Sequence, residues 1–313
     1  MKRTDRILVC MAVLTLSFVT PGLRATETVA VDVPVDVSPN ASPNVSFNIP
    51  LDIPLNVPRR ADGKPDFNGV WQVLNTANYD LLAHPARIAM ATRPGPFGAV
   101  PATEVLALGA VGAVPAGLGV VIGNEIPYHA DARKKQQDNQ ANWLTADPEI
   151  KCYLPGVPRT TYLPFPFQIF HSDAAIFIAY EYAGATRNLE LQDPGEAPVD
   201  SWMGQSYATW DGDTLVVKVT GQNDQTWFDR SGNHHSEALV VTERYTLQNA
   251  HVMDYEAIID DPKTFTQPWT IRMPVYRRVG VDAQLSQFKC IEFVEELMYG
   301  KLRKEPLQPE PAP

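Results

Sequence analysis

From residue 165 to 279 the chain is a succession of short β-type segments separated by turn residues, and this constrains the fold more than any other feature. Strands are predicted at 167–171, 175–182, 185–191, 206–210, 214–220, 238–247, 252–260, 268–279 and 285–291. Ser172-Asp173, Ala183-Gly184 and Asp211-Gly212-Asp213 supply the reversals, the Asp-Gly pair because its residues accept the positive φ angles of a tight hairpin. Side chains alternate between polar and apolar over 242–246 and 255–259, as they do when one face of a strand is covered. Segments adjacent in sequence pair with each other by default, and closing the resulting meander is the simplest way to remove its exposed edges. The expected class is therefore mainly β: an antiparallel barrel of roughly eight to ten strands.

The rest of the chain reads as additions to that barrel. Lys64-Pro65-Asp66-Phe67-Asn68 is a turn that leads into a first strand at Gly69-Val70-Trp71-Gln72. Residues 80–125, rich in Ala, Gly and Pro, are expected to form an irregular or partly helical layer. The run 107–122 has no charge, but its Gly and Pro argue against a membrane span. An amphipathic surface helix is predicted over 130–144 and a terminal helix over 292–302, followed by a frayed tail at 303–313.

The N-terminus has the layout of a secretory signal. Lys2, Arg3 and Arg6 precede a short apolar core, Pro21-Gly22 breaks it, and cleavage is expected after Ala25. Residues 26–61, with recurrent Pro between Val, Asp, Asn and Ile, are expected to be a disordered linker, leaving 62–302 as a single domain. Secretion or export to a periplasm makes a disulfide between the two remaining cysteines, Cys152 and Cys290, the expected pairing. Closing so long a loop is worth about 4–5 kcal/mol in the chain-entropy account. The net charge of −10 disfavours nucleic acid and anionic lipid as partners. No stable membrane insertion is expected.

Two resemblances attach to particular residues. Gly69-x-Trp71 resembles the opening of lipocalin-like (calycin-type) barrels, in which the Trp closes one end beneath a late-strand Arg, here Arg277 or Arg278. PDFNGVW, DPEIKCYLPGVPR, SWMGQSYATWDGDTLVV, NDQTWFDRSGNHHSEALVVTERY, IDDPKTFTQPW and FKCIEFVEELMYG resemble a family of secreted bacterial proteins, over Pro65 to about Leu302. That resemblance implies secretion and a single β-rich domain, and carries no activity with it.

The chemistry concentrates in the polar insert at 223–237, between two strongly specified strands. His235 and Glu237 are two residues apart, so on a strand they share a face and read as a general base with its orienting carboxylate; a capped, solvated turn is the structural alternative. Asp229 is a second carboxylate partner, and Arg159, delivered by the Pro-rich 147–159 loop, or Arg244 would stabilise an anion. Ion pairing within the protein is the alternative for Asp229 and Arg159. Tyr180, Tyr182, Trp202, Trp227 and Trp269 are the candidate walls of a substrate site, or ordinary core aromatics. His171, His235, Glu237 and Asp229 include metal-binding types, but their spacing matches no metal motif, and no metal is expected. No nucleophile elbow, phosphate loop or dinucleotide fingerprint occurs, so no cofactor is expected. Three functions fit: a secreted or periplasmic enzyme acting on a small, partly apolar molecule by His/carboxylate acid–base chemistry (hydrolysis, elimination or isomerisation), a lipocalin-like carrier of an apolar ligand that performs no reaction, or an envelope scaffold tethered by the proline-rich segment.

Overall fold

The structure is a computed structural model that describes residues 56–88, 90–106, 113–280 and 283–302. The expected signal segment, most of the 26–61 linker, the 107–112 part of the uncharged run and the 303–313 tail lie outside those residues. The chain already engages the barrel just before Asp62. Asp66 N–H donates to Pro58 O, and Arg59 forms an ion pair with Asp213.

β1 (Gly69–Val73) is followed by an N-terminal layer holding two small sheets. β2 (Arg87–Ile88) pairs with β5 (Ala113–Val114), and β3 (Thr92–Gly95) with β4 (Gly98–Pro101). The strands β6 (Phe167–His171), β7 (Ile176–Tyr180), β8 (Thr186–Glu190), β9 (Gln205–Asp211), β10 (Thr214–Thr220), β11 (Val240–Leu247), β12 (Val252–Asp260) and β13 (Trp269–Arg277) complete the main sheet. With β1 between β6 and β13, nine strands close into a barrel. Short helices are α1 (Thr103–Leu106), α2 (Ala130–Ala141), α3 (Trp143–Ala146), α4 (Arg159–Tyr162) and α5 (Val294–Tyr299). Among the described residues no helix is long and apolar enough to cross a membrane.

The barrel is not wholly antiparallel, and the strand count says why. Each antiparallel neighbour reverses direction, so a closed ring needs an even number of antiparallel contacts. Nine strands make nine contacts, and at least one must be parallel. That one is β8 with β9. The 191–204 connection, with Pro194 and Pro198, forms no strand and returns the chain along the barrel, so that β9 runs in the direction of β8. The parallel ladder holds only Leu189 opposite Ser206 and Glu190 opposite Tyr207.

Two further expectations are corrected. Residues 285–291 form no strand; held by the Cys152–Cys290 disulfide, they cross the outside, where Phe288 packs on Phe165 and Tyr182. Helix α2 has no apolar stripe. It docks through polar groups, with Gln136 Nε2 donating to Ser231 O at 2.5 Å and Asn139 Nδ2 to Gly232 O at 3.2 Å.

Alternation fills the barrel. Val241, Glu243, Tyr245 and Leu247 point inward from β11, and Met253, Tyr255, Ala257 and Ile259 from β12. At one end sit the tight turns between β6 and β7, β9 and β10, and β11 and β12. The Arg277 guanidinium lies 4.4 Å from the centre of the buried Trp71 ring near this end. Gly69, at φ +141°, makes that possible, because a Cβ there would collide with the guanidinium. The longer connections, including the 221–239 insert and the 261–268 loop, gather at the other end.

Candidate functional site

The end that carries the long connections is stoppered. Helix α4 is buried at all four residues and meets the 222–237 insert. Gln222 clasps Val157 through both amide groups, accepting from its N–H at 2.7 Å and donating to its C=O at 2.9 Å. Tyr162 Oη donates to Phe228 O at 2.7 Å.

Arg159 does reach the insert, but inside a closed ion network and not at the rim of a cavity. Its guanidinium makes paired bonds to Asp147 at 2.8 and 2.9 Å, bonds Glu149 at 2.8 Å, and donates to Asn78 Oδ1 at 2.9 Å. Arg230 of the insert shares Glu149 at 3.0 Å and binds Glu295 of α5 at 2.9 Å. Burial alone would raise the Glu149 carboxyl, but Arg230 and Arg159 pull it down to about 2. Buried and with four of its five donors engaged, this Arg is held by the protein and not offered to a substrate.

The His235–Glu237 pair is not formed. His235 is buried, with Nε2 2.6 Å from Thr226 Oγ1 and Nδ1 2.9 Å from Ser236 O. A carbonyl can only accept, so Nδ1 carries the proton and Nε2 accepts from the threonine hydroxyl. Burial holds this ring below the usual histidine pKa. Glu237 is half exposed and pairs with Lys263. The two share no face because 235–239 is irregular chain ahead of β11, so strand parity does not apply.

Asp229 is fully buried. Its oxygens accept from the N–H groups of Leu81, Ser231 and Asn233 and from Asn233 Nδ2, at 2.6 to 3.2 Å. Burial and nearby Asp80 push its carboxyl up to about 7, against these four donors. It organises the turn of the insert and does not meet His235's ring nitrogens. Arg244 lies on the outer face, paired with Asp211 at 2.9 Å.

The five candidate aromatic residues line no common space. Tyr180 points into the barrel. Tyr182 lies in the turn beyond β7, donating to Glu149 O, and Trp202 packs on Tyr153. Trp269 packs edge-on against Phe228 and Phe265, and Trp227 bridges to His234. Among the described residues no three or more His, Cys, Asp or Glu side chains are grouped to hold a metal ion.

The polar centre of the barrel is a set the sequence reading did not single out. Arg187 on β8 and Glu243 on β11 form a buried two-bond pair, at 3.2 and 2.5 Å. Tyr245 and Tyr255 hydroxyls donate to the same carboxylate oxygen at 2.7 and 2.8 Å. The other Arg187 donors go to Ser206 Oγ and Tyr180 Oη. Parity was the available signal. Arg187 shares its parity with the apolar Ala185 and Leu189, and Glu243 with Val241 and Tyr245, so both charges occupy inward positions.

Beside this centre, at the β8·β9 seam, the wall opens into a cavity of about 310 Å³. It is lined by Arg187, Asn188 and Glu190 of β8, by Ser206 of β9, and by Val199 and Met203 of the connection between them. The volume is near the lower end of the ~300–1,000 Å³ typical of ligand clefts. Comparison with family models, with curated proteins and with solved structures finds no match to this chain.

Proposed function

We propose that this domain is an extracytoplasmic binding protein for a small molecule, lipocalin-like in its barrel, with the ligand held at the β8·β9 seam instead of in the barrel mouth. One observation carries the reading: the cavity lies where the wall has only two paired residues, and the buried polar residues Arg187 and Ser206 are among those that line it. A closed, side-chain-filled barrel offers a ligand little room elsewhere, and the mouth is occupied by α4 and the insert. The lipocalin likeness is supported by Trp71 beneath Arg277 and by β1 closing the ring between β6 and β13. Export is supported by the signal-like N-terminus and by the Cys152–Cys290 disulfide.

Binding is favoured over acid–base catalysis because the required partners are separated. His235 has both ring nitrogens bonded within the insert, and Glu237 turns outward to Lys263. Screening the full chain against a small-molecule library by thermal shift tests the reading. Ligands that raise Tm for the wild type and not for Thr186→Trp, which places a bulky ring on the exposed edge of the cavity, are the expected result. Stabilisation that survives Thr186→Trp would sink the proposal.

A further inference from the structure

We infer that the seam cavity selects a small organic cation carrying a hydrogen-bond acceptor at its inner end; this rests on the binding reading above. Arg187 is the one basic residue in the cavity wall, and its charge is already matched by Glu243. A guanidinium has five N–H donors. Two go to Glu243, two to Ser206 and one to Tyr180, so none remains for an anionic ligand.

Glu190 is the one carboxylate among the residues that line the cavity, and the chain that follows it is acidic. Between Arg187 and Lys218 the chain has no Lys, Arg or His, but it has Glu190, Asp193, Glu196, Asp200, Asp211 and Asp213. Asp211 and Asp213 are paired with Arg244 and Arg59. The four nearest the cavity in sequence, Glu190 to Asp200, have no cationic partner among the described residues. Glu190 stands in the cavity wall itself, exposed, its Oε1 accepting from Asn188 Nδ2 at 2.5 Å. A carboxylate in a recess, with no free cation beside it, favours a ligand of the opposite sign.

The inner wall makes a separate demand. Ser206 is 4% exposed, and its Oγ accepts from Arg187 twice, at 3.3 and 3.0 Å. Its own proton has no acceptor among the described residues. A buried donor left without a partner is costly, and a ligand oxygen in the cavity would satisfy it. Val199 and Met203 add apolar surface to the same lining.

The test uses three molecules of one shape: tyramine (cation), tyrosol (neutral) and para-hydroxyphenylacetate (anion), titrated into the isotope-labelled full chain and followed by amide NMR shifts. Tyramine is expected to move resonances on β8 and over 201–206, and to bind at least about threefold more tightly than tyrosol, the scale of one solvent-exposed charge partner. The anion is expected not to bind. Glu190→Gln should bring tyramine down to the affinity of tyrosol and leave tyrosol unchanged. Added salt should weaken tyramine alone. If tyrosol or the anion binds as well as tyramine, or if Glu190→Gln leaves the preference intact, the charge inference is wrong while the cavity reading stands. If none of the three binds, or if binding persists in Thr186→Trp, the cavity reading fails and takes the inference with it.

Discussion

Arg187 and Glu243 join across the barrel lumen, from strands that are not neighbours: β9 and β10 separate β8 from β11 in the wall. The pair therefore braces the barrel at the height where its β8·β9 ladder is shortest. Removing one partner leaves an uncompensated charge in the interior. Glu243→Gln is expected to cost about 3–5 kcal/mol in urea denaturation, and the double change Arg187→Met with Glu243→Gln less, because it removes both charges and keeps an acceptor for the Tyr245 and Tyr255 hydroxyls. Equal losses in the single and double variants would contradict a charge-based role.

The stopper is held by two arginines in different surroundings, and they should differ in weight. Arg159 is 1% exposed in its side chain and Arg230 17%. Arg159→Met strands the fully buried Asp147, leaves Glu149 with Arg230 alone, and is expected to destabilise by roughly 3 kcal/mol or more. Arg230→Met leaves Glu149 paired with Arg159 and should cost clearly less. Chemical denaturation of the two variants side by side checks the order.

Asp229→Asn tests how the insert is built. An amide in place of the carboxylate turns one acceptor oxygen into a donor facing the N–H groups of Leu81 and Asn233 or of Ser231 and Asn233. The expected cost is about 2–3 kcal/mol, the scale of a buried donor left without an acceptor. A variant as stable as wild type would show that the carboxylate does not organise this turn.

Acid sensitivity should come in part from the neighbouring histidine. Burial lowers His234 to about 4 from an ordinary 6.5. The unfolded chain then binds the proton first, so stability is lost as pH falls from about 6.5 towards 4. His234→Phe keeps the ring stacked on Tyr128 and removes the titration. Its Tm should fall less steeply than that of the wild type across this window. Parallel curves would exclude His234 as the cause.

Glu237→Gln is expected to leave both stability and tyramine binding within measurement error. Its carboxylate is solvent-exposed and meets only Lys263, an arrangement worth little in water. Loss of binding in this variant would restore the acid–base reading of the insert.

The parts of this architecture legible in the sequence are those set by local rules. Strand positions follow from β-branched alternation and turn residues, as at 214–220 and 252–260, which are strands at those bounds. The Gly69-x-Trp71 pair anticipated Arg277 over the indole. The parallel seam was hidden because direction is a property of the whole ring, not of any one segment. The insert's chemistry is hidden for a related reason. Strand parity puts His235 and Glu237 on one face only if that chain is strand, which it is not, and the ion pairing weighed for Arg159 falls to Asp147 and Glu149, partners that local pattern cannot name. Arg187 and Glu243 lie far apart in sequence, so only closure of the barrel makes them a pair.

The short β8·β9 ladder also decides how this barrel can breathe. Eight of its nine joints are antiparallel ladders, most of them long, whereas this one is two residue pairs deep. A hoop under stretch parts at its thinnest joint. Widening here disturbs two residue pairs, leaves the other eight joints intact, and is limited by the Arg187–Glu243 strut behind the gap. The barrel thus has a preferred line along which to loosen and reseal, and that line runs along the wall of its cavity.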